Sequence, residues 1–166
     1  DEKIANKIYD EMIDFAQYAF NKSHAAAYAY VTYQTAFLKY YYPVEYMAAL
    51  MTSVIDKPTK VAEYIQVCRQ MNIPILPPDI NKGEYGFSVS GGSILYALSA
   101  IKSVGRPVIE AIVAERKEHG EYLSVKNFIE RNMEAVNKRA IENFIKAGAL
   151  DCLEGNRHQK MVVFGQ

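Results

Sequence analysis

Between Ile73 and Pro78 the chain reads Ile-Pro-Ile-Leu-Pro-Pro, a run that no regular helix can cross. Each proline lacks a backbone N–H and fixes φ, and each pushes the residue before it away from helical geometry. A little further on, Phe87-Ser88-Val89 and Ile94-Leu95-Tyr96 flank Ser90-Gly91-Gly92-Ser93, the pattern of a small β-hairpin. On both sides of this break the apolar spacing is helical. The chain is therefore expected to be mostly α. A helical segment over residues 1–71 precedes a proline-rich linker and β-hairpin over 72–96, and a second helical segment fills 97–166.

In the front segment, Ile4, Ile8, Met12 and Phe15 mark one face of a helix over 3–18. The pattern is already running at the first residues, which reads as a piece of something longer. Asn21-Lys22-Ser23 breaks it, with Ser23 a good N-cap for a second helix. That helix, from Ala25 to about Tyr42, carries Tyr28, Val31, Thr35, Leu38 and Tyr42 on one stripe. Tyr30, Tyr33, Phe37 and Tyr41 form another, and Gln34 and Lys39 are the clear polar exceptions. A helix apolar on most sides is expected to be buried on most sides. Pro43 ends it and suits the first turn of a helix to about Val54. A further helix is expected over 60–71, with Val61, Ile65 and Cys68 in a stripe.

The rear segment reads as helices over 97–102, 106–118, 124–131, 137–147 and 156–164. These form two degenerate copies of one helix pair, the first centred near Gly105 and the second near Arg131 to Asn137. In the first copy, Leu98 and Ile101 precede a tight turn, Val104 is its apolar centre, and Ile109, Ile112 and Val113 come after it at helical spacing. That is the pattern of a helix-hairpin-helix, whose turn lets backbone amides approach phosphate oxygens closely. Ser103 stands where the first turn glycine is usual, and Lys102 and Arg106 flank the turn. The same residues also fit a plain αα-hairpin with surface cations. In the second copy Asn137 is an N-cap, Ile141, Phe144 and Ile145 make the buried face, and Gly148 is the stop. Lys138 and Arg139 oppose the helix dipole at that start, which fits either a bound phosphate or solvated cations.

Lysine plus arginine equals aspartate plus glutamate at 19 each. Free-standing nucleic-acid binders usually carry excess positive charge, so neutrality counts against a nonspecific basic DNA coat and leaves room for local patches. The two cysteines, Cys68 and Cys152, make neither a disulfide framework nor a metal site. Each is expected to pack as a small hydrophobe, in keeping with a reducing, cytoplasmic setting. No apolar run reaches the roughly 18 residues that span a bilayer, so no membrane partner is expected. Lys22 and His24 stand at the mouth of a helix, where free N–H groups and a cation make an anion site. Asp10 and Asp14 read as a solvated face, and Tyr40, Tyr41 and Tyr42 as core residues that could otherwise stack bases.

Long stretches of this chain resemble one family. They are Phe20-Asn21-Lys22-Ser23-His24-Ala25-Ala26-Ala27-Tyr28-Ala29, then Tyr33 to Lys39, Tyr42 to Leu50 and Leu76-Pro77-Pro78-Asp79-Ile80-Asn81. Ala100-Ile101-Lys102-Ser103-Val104-Gly105, Asn137-Lys138-Arg139 and Lys146-Ala147-Gly148-Ala149 continue in the same order. Together they are similar to the α subunits of bacterial DNA polymerase III, the C-family replicative DNA polymerases, and the resemblance covers essentially the whole chain. It implies a helical fingers subdomain leading into tandem helix-hairpin-helix-like helices. It also implies that Asn21, Lys22, Ser23 and His24 face the incoming dNTP, with Lys22 neutralising triphosphate charge and His24 positioning it. The resemblance assigns the duplex backbone to Lys102, Ser103, Val104, Gly105 and Arg106, with Lys138 and Arg139 as further DNA contacts. Ala19 and Ser103 stand where the family usually has glycine.

The implied partners are primer-template DNA and dNTP, with the sliding clamp and other replisome subunits engaged by the rest of a longer chain. The implied cofactor is Mg, held by palm carboxylates outside this fragment, which is therefore not catalytic alone. The rival readings are a stand-alone helix-hairpin-helix DNA-binding module and a protein-interaction module.

Overall fold

The helical spacing on either side of the proline break is realised in the computed structural model, which describes residues 1–18 and 22–165. In chain order the helices are α1 (Glu2–Tyr18), α2 (Lys22–Tyr41), α3 (Pro43–Ser53), α4 (Pro58–Gln70), α5 (Arg106–His119), α6 (Val125–Arg131), α7 (Lys138–Ala147) and α8 (Arg157–Gly165). Between α4 and α5 lie strands β1 (Ile75–Leu76), β2 (Ser88–Ser90) and β3 (Ser93–Leu95), then a single 3-10 turn, Leu98–Ala100. Pro43 and Pro58 each open a helix, where a missing N–H costs nothing.

The chain divides into two compact units, Asp1–Tyr41 and Tyr42–Gln166. In the first unit both helices form where periodicity places them, but the burial expected of α2 is not found. None of its residues is buried, and Tyr30, Tyr33 and Tyr40 are about two-thirds or more exposed. The reason lies in the sequence: a helix apolar on several sides needs cover on several sides, and nothing among the described residues covers it. Ile4, Ile8, Met12 and Phe15 of α1 are likewise exposed. The expected cap at Ser23 is also displaced. Lys22 and Ser23 are both helical, so Ser23 lies inside α2 rather than before it.

The second unit carries two hydrophobic cores. Met47, Ala48 and Met51 of α3, Val61 and Cys68 of α4, and Ile73, Phe87, Ile94 and Ala97 make one. Ile80, Leu98, Ile101 and Val104 join Ile109, Ile112, Tyr122, Phe128, Ile141, Phe144 and Ile145 in the other. Residues 72–96 thus feed side chains into both cores and join them. Helices α3 and α4 pack with the strands and belong to the second unit.

The proline run adds a strand that the sequence did not suggest. β1 pairs parallel with β3, Ile75 opposite Ile94 and Leu76 opposite Leu95, while β2 pairs antiparallel on the other side. As an edge strand β1 tolerates prolines next to it, since Pro74 is used only as an acceptor, its carbonyl taking the Ile94 N–H at 2.9 Å. The expected helix over 97–102 is only the 3-10 turn. Cys68 is fully buried as expected, whereas Cys152 is exposed, because the turn after α7 carries it outward.

Candidate nucleic-acid interface

The two rear hairpins repeat one design. Val104, Gly105, Ile109, Ile112 and Val113 occupy the places that Val136, Asn137, Ile141, Phe144 and Ile145 occupy in the second copy, and all eight apolar members are buried. The residue before each second helix has nearly the same extended backbone, φ −79° and ψ 157° at Gly105 against φ −83° and ψ 164° at Asn137. Apolar anchoring on one side of each turn leaves the polar backbone of the other side outward.

In the first hairpin, Ser103 has φ 64°, the left-handed region that glycine enters at no steric cost. The serine thus takes the conformation of the glycine it replaces. Gly105 is different. Its φ is ordinary, and a Cβ there would meet only the Pro107 Cδ at 3.7 Å. Nothing among the described residues requires a bare backbone at Gly105. Among the described residues, neither backbone nor side-chain acceptors take the amides of Ser103 and Gly105, while the turn at Lys102–Ser103 directs the Val104 N–H toward the Ile101 carbonyl. Free N–H groups at such a turn suit an anion. Lys102, Ser103, Gly105 and Arg106 are exposed, and Val104 is 8 % exposed.

Arg106 is turned back along its own helix. Its Nε donates to Glu110 Oε1 at 2.7 Å, and its guanidinium lies 4.8 Å from the centroid of the Tyr85 ring. The hydrogen bond from Arg106 to Glu110, and then the carboxylate charge, raise the arginine's pKa further. A phosphate at this turn must therefore compete with Glu110 for Arg106.

In the second hairpin the Asn137 side-chain oxygen accepts from the Ala140 N–H at 2.9 Å, the cap the sequence led one to expect. Lys138 and Arg139 are exposed at the start of α7. That helix stops at Gly148 (φ 84°), where the Ala149 N–H reaches the Phe144 carbonyl at 2.9 Å.

Two residues that sequence reasoning did not single out tie the hairpins together. Asn143 of α7 donates its side-chain amide to the Lys102 carbonyl at 2.9 Å. With Lys146, Lys102 and Tyr96 it lines a cleft of about 490 Å³ beside the first turn. An asparagine on the polar face of an amphipathic helix carries no pattern that marks such a contact. Between the hairpins, Arg131 chelates Glu115, and Arg116 donates to the carbonyls of Ile80 and Gly83 at 2.8 and 2.9 Å. Lys160, 3 % exposed, donates to the carbonyls of Leu150 and Leu153. These cations are structural, since their donors are used inside the fold.

The Lys22–His24 stretch lies in the other compact unit. Lys22, Ser23 and His24 form the first turn of α2 and are exposed, and the His24 ring lies 4.4 Å from the Tyr28 ring. Asn21, like Ala19, falls outside the described residues. Among the described residues no group of three or more His, Cys, Asp or Glu side chains could hold a metal ion. No helix there is long and apolar enough to cross a membrane.

Residues 72–160 match the model of the helix-hairpin-helix motif. Proteins called DNA polymerase III subunit alpha align along nearly the whole chain. The one from Thermus aquaticus is 50 % identical over 151 residues, covering 90 % of this chain and 12 % of that protein. The one from Vibrio cholerae is 47 % identical over 163 residues, covering 97 % and 14 %. The one from Chlamydia pneumoniae is 47 % identical over 158 residues, covering 95 % and 13 %. The chain thus spans only about an eighth of the length of these relatives. It belongs to the helix-hairpin-helix family and to the sequence family of DNA polymerase III subunit alpha, of which it matches one segment.

Proposed function

We propose that the rear hairpins grip the sugar-phosphate backbone of duplex DNA within a bacterial replicative DNA polymerase. The observation that carries this reading is the first turn, where the free amides of Ser103 and Gly105 lie beside Lys102 and Arg106. Amides and cations of this kind recognise phosphate without reading bases. The second hairpin presents Lys138 and Arg139, while its Ala135 and Val136 amides are taken by the Asn132 carbonyl, so its contact with the backbone would rest on the cations. Binding is expected to be weak, insensitive to sequence and strongly salt-dependent. The test is a salt titration of duplex-DNA affinity, with alanine at Lys102 and Arg106.

In the same reading, Lys22, Ser23 and His24, with Asn21 just before them, help position an incoming dNTP. A cation on the first turn of α2 adds to the positive end of the helix dipole, which suits a triphosphate. The contribution of this chain would be orientation and charge neutralisation. No step of nucleotidyl transfer is assigned to these residues. Magnesium, the sliding clamp and other replisome subunits would engage other parts of the longer protein. The exposed apolar stripes of α1 and α2 would be covered there too.

A further inference from the structure

We infer that Asn143 is a positioning residue for phosphate binding by the first hairpin, acting through the Lys102–Ser103 peptide. The inference rests on the DNA reading and goes beyond it, because Asn143 lies on a different helix from the turn it serves. A trans peptide is planar, and its C=O and N–H point in opposite directions. No cis peptide is present among the described residues. The Asn143 Nδ2 holds the Lys102 carbonyl at 2.9 Å from the α7 side. The N–H of the same peptide, that of Ser103, must then point away from α7, out of the fold. Asn143 can do this because α7 is fixed, with its neighbours Phe144 and Ile145 buried in the rear core.

The restraint matters because of where it acts. Ser103 has φ 64°, a conformation a non-glycine residue leaves readily unless its surroundings hold it. On the far side the turn is held by Val104, which is buried. On the near side, Asn143 supplies the only side-chain hydrogen bond to the Lys102 carbonyl among the described residues. Without it the Lys102–Ser103 peptide can rotate, and the Ser103 amide turns away from the phosphate position. The fraction of molecules competent to bind falls, and apparent affinity falls with it.

The experiment uses the 166-residue chain and a duplex oligonucleotide of arbitrary sequence. Affinity is measured at fixed salt and across a salt series, and amide signals are monitored by NMR. Asn143→Ala is expected to weaken binding about threefold to tenfold, the range set by loss of one net hydrogen bond. The salt slope should stay unchanged, because no cation is removed. Asn143→Asp, which keeps the shape but sets a carboxylate against the carbonyl, should weaken binding at least as much. In the unaltered chain the Ser103 amide should shift on DNA addition. In both variants that response should be lost, while the amides of Lys138 and Arg139 still respond, showing that the fold and second hairpin are intact. Equal affinity of Asn143→Ala and the unaltered chain, or an undiminished Ser103 response, would overturn the inference while leaving the DNA reading standing. Absence of any DNA response in the unaltered chain would remove the DNA reading and the role of Asn143 with it.

Discussion

Arg131 grips Glu115 across the gap between α6 and α5, its Nε 2.9 Å from both carboxylate oxygens and its Nη2 2.5 Å from one. The same guanidinium donates to the Gly120 carbonyl at 2.9 Å and stacks 4.4 Å over the Tyr122 ring. Arg131 therefore fixes the connection between the two hairpins. The pair is mostly shielded, with 16 % and 21 % of the two side chains exposed. Arg131→Ala is expected to cost about 2–3 kcal/mol in urea unfolding, since it removes charge-assisted bonds and leaves carbonyls unpaired. Arg131→Lys should recover only part of this, because an ammonium cannot chelate both oxygens.

The same pair sets a pH dependence. The hydrogen bond from Arg131 holds the Glu115 carboxyl below its ordinary value, against the opposing effect of burial. A carboxyl lowered in the folded state stabilises the fold above its unfolded pKa, and that stability is lost as pH falls through the folded value. The unaltered chain should therefore lose more stability than Glu115→Gln between about pH 5 and pH 3, a range set by the usual glutamate pKa of about 4.3. Parallel stability-against-pH curves would show that the pair contributes nothing through titration.

Ser103 gives a test of backbone strain. Its φ of 64° is uncomfortable for any side chain and free for glycine. Ser103→Gly is expected to raise stability by about 0.5–1 kcal/mol, the relief of left-handed strain less the extra freedom of the unfolded glycine. Ser103→Val should lower it, since a β-branched residue suits this region least. A thermal midpoint that falls in the glycine variant would show that the turn does not hold this conformation in solution.

Much of this architecture was legible in the sequence, and the exceptions have physical causes. Helix positions and the buried members of the rear hairpins came from periodicity, because Ile109, Ile112, Ile141 and Phe144 repeat at the spacing of one helix face. Gly148 and Asn137 announced the two ends of α7. The burial of α2 was misjudged, since periodicity reports which faces need cover and not whether the cover lies in the same chain. Strand β1 was hidden by prolines that an edge strand tolerates. At the interface, the turn residues are readable as a motif, and Arg106 and Glu110 stand one helical turn apart on α5, so their pairing follows from spacing. The reach of Asn143 to Lys102 depends on tertiary placement, which spacing does not encode.

Lys22 is expected to act on nucleotide incorporation rather than on DNA affinity. In the longer polymerase, Lys22→Ala should reduce the catalytic efficiency of single-nucleotide incorporation about tenfold to a hundredfold, the loss of one charge-assisted contact. Primer-template affinity should change little. Lys22→Arg should rescue partly, as its planar fork differs from a compact ammonium. Incorporation within about twofold of the unaltered enzyme would make Lys22 a surface charge near a helix start.

The most direct test of the DNA-gripping account is the salt dependence of duplex-DNA affinity. Each neutralised phosphate adds about 0.9 to the slope of log affinity against log salt. With three to five cationic contacts in view, the unaltered chain should give a slope of roughly −3 to −4.5. Changing Lys102 and Arg106 together to alanine should reduce its magnitude by about two, with no preference for duplex sequence before or after. An unchanged slope in that double variant would contradict the account, because the charges beside the first hairpin would then not touch DNA.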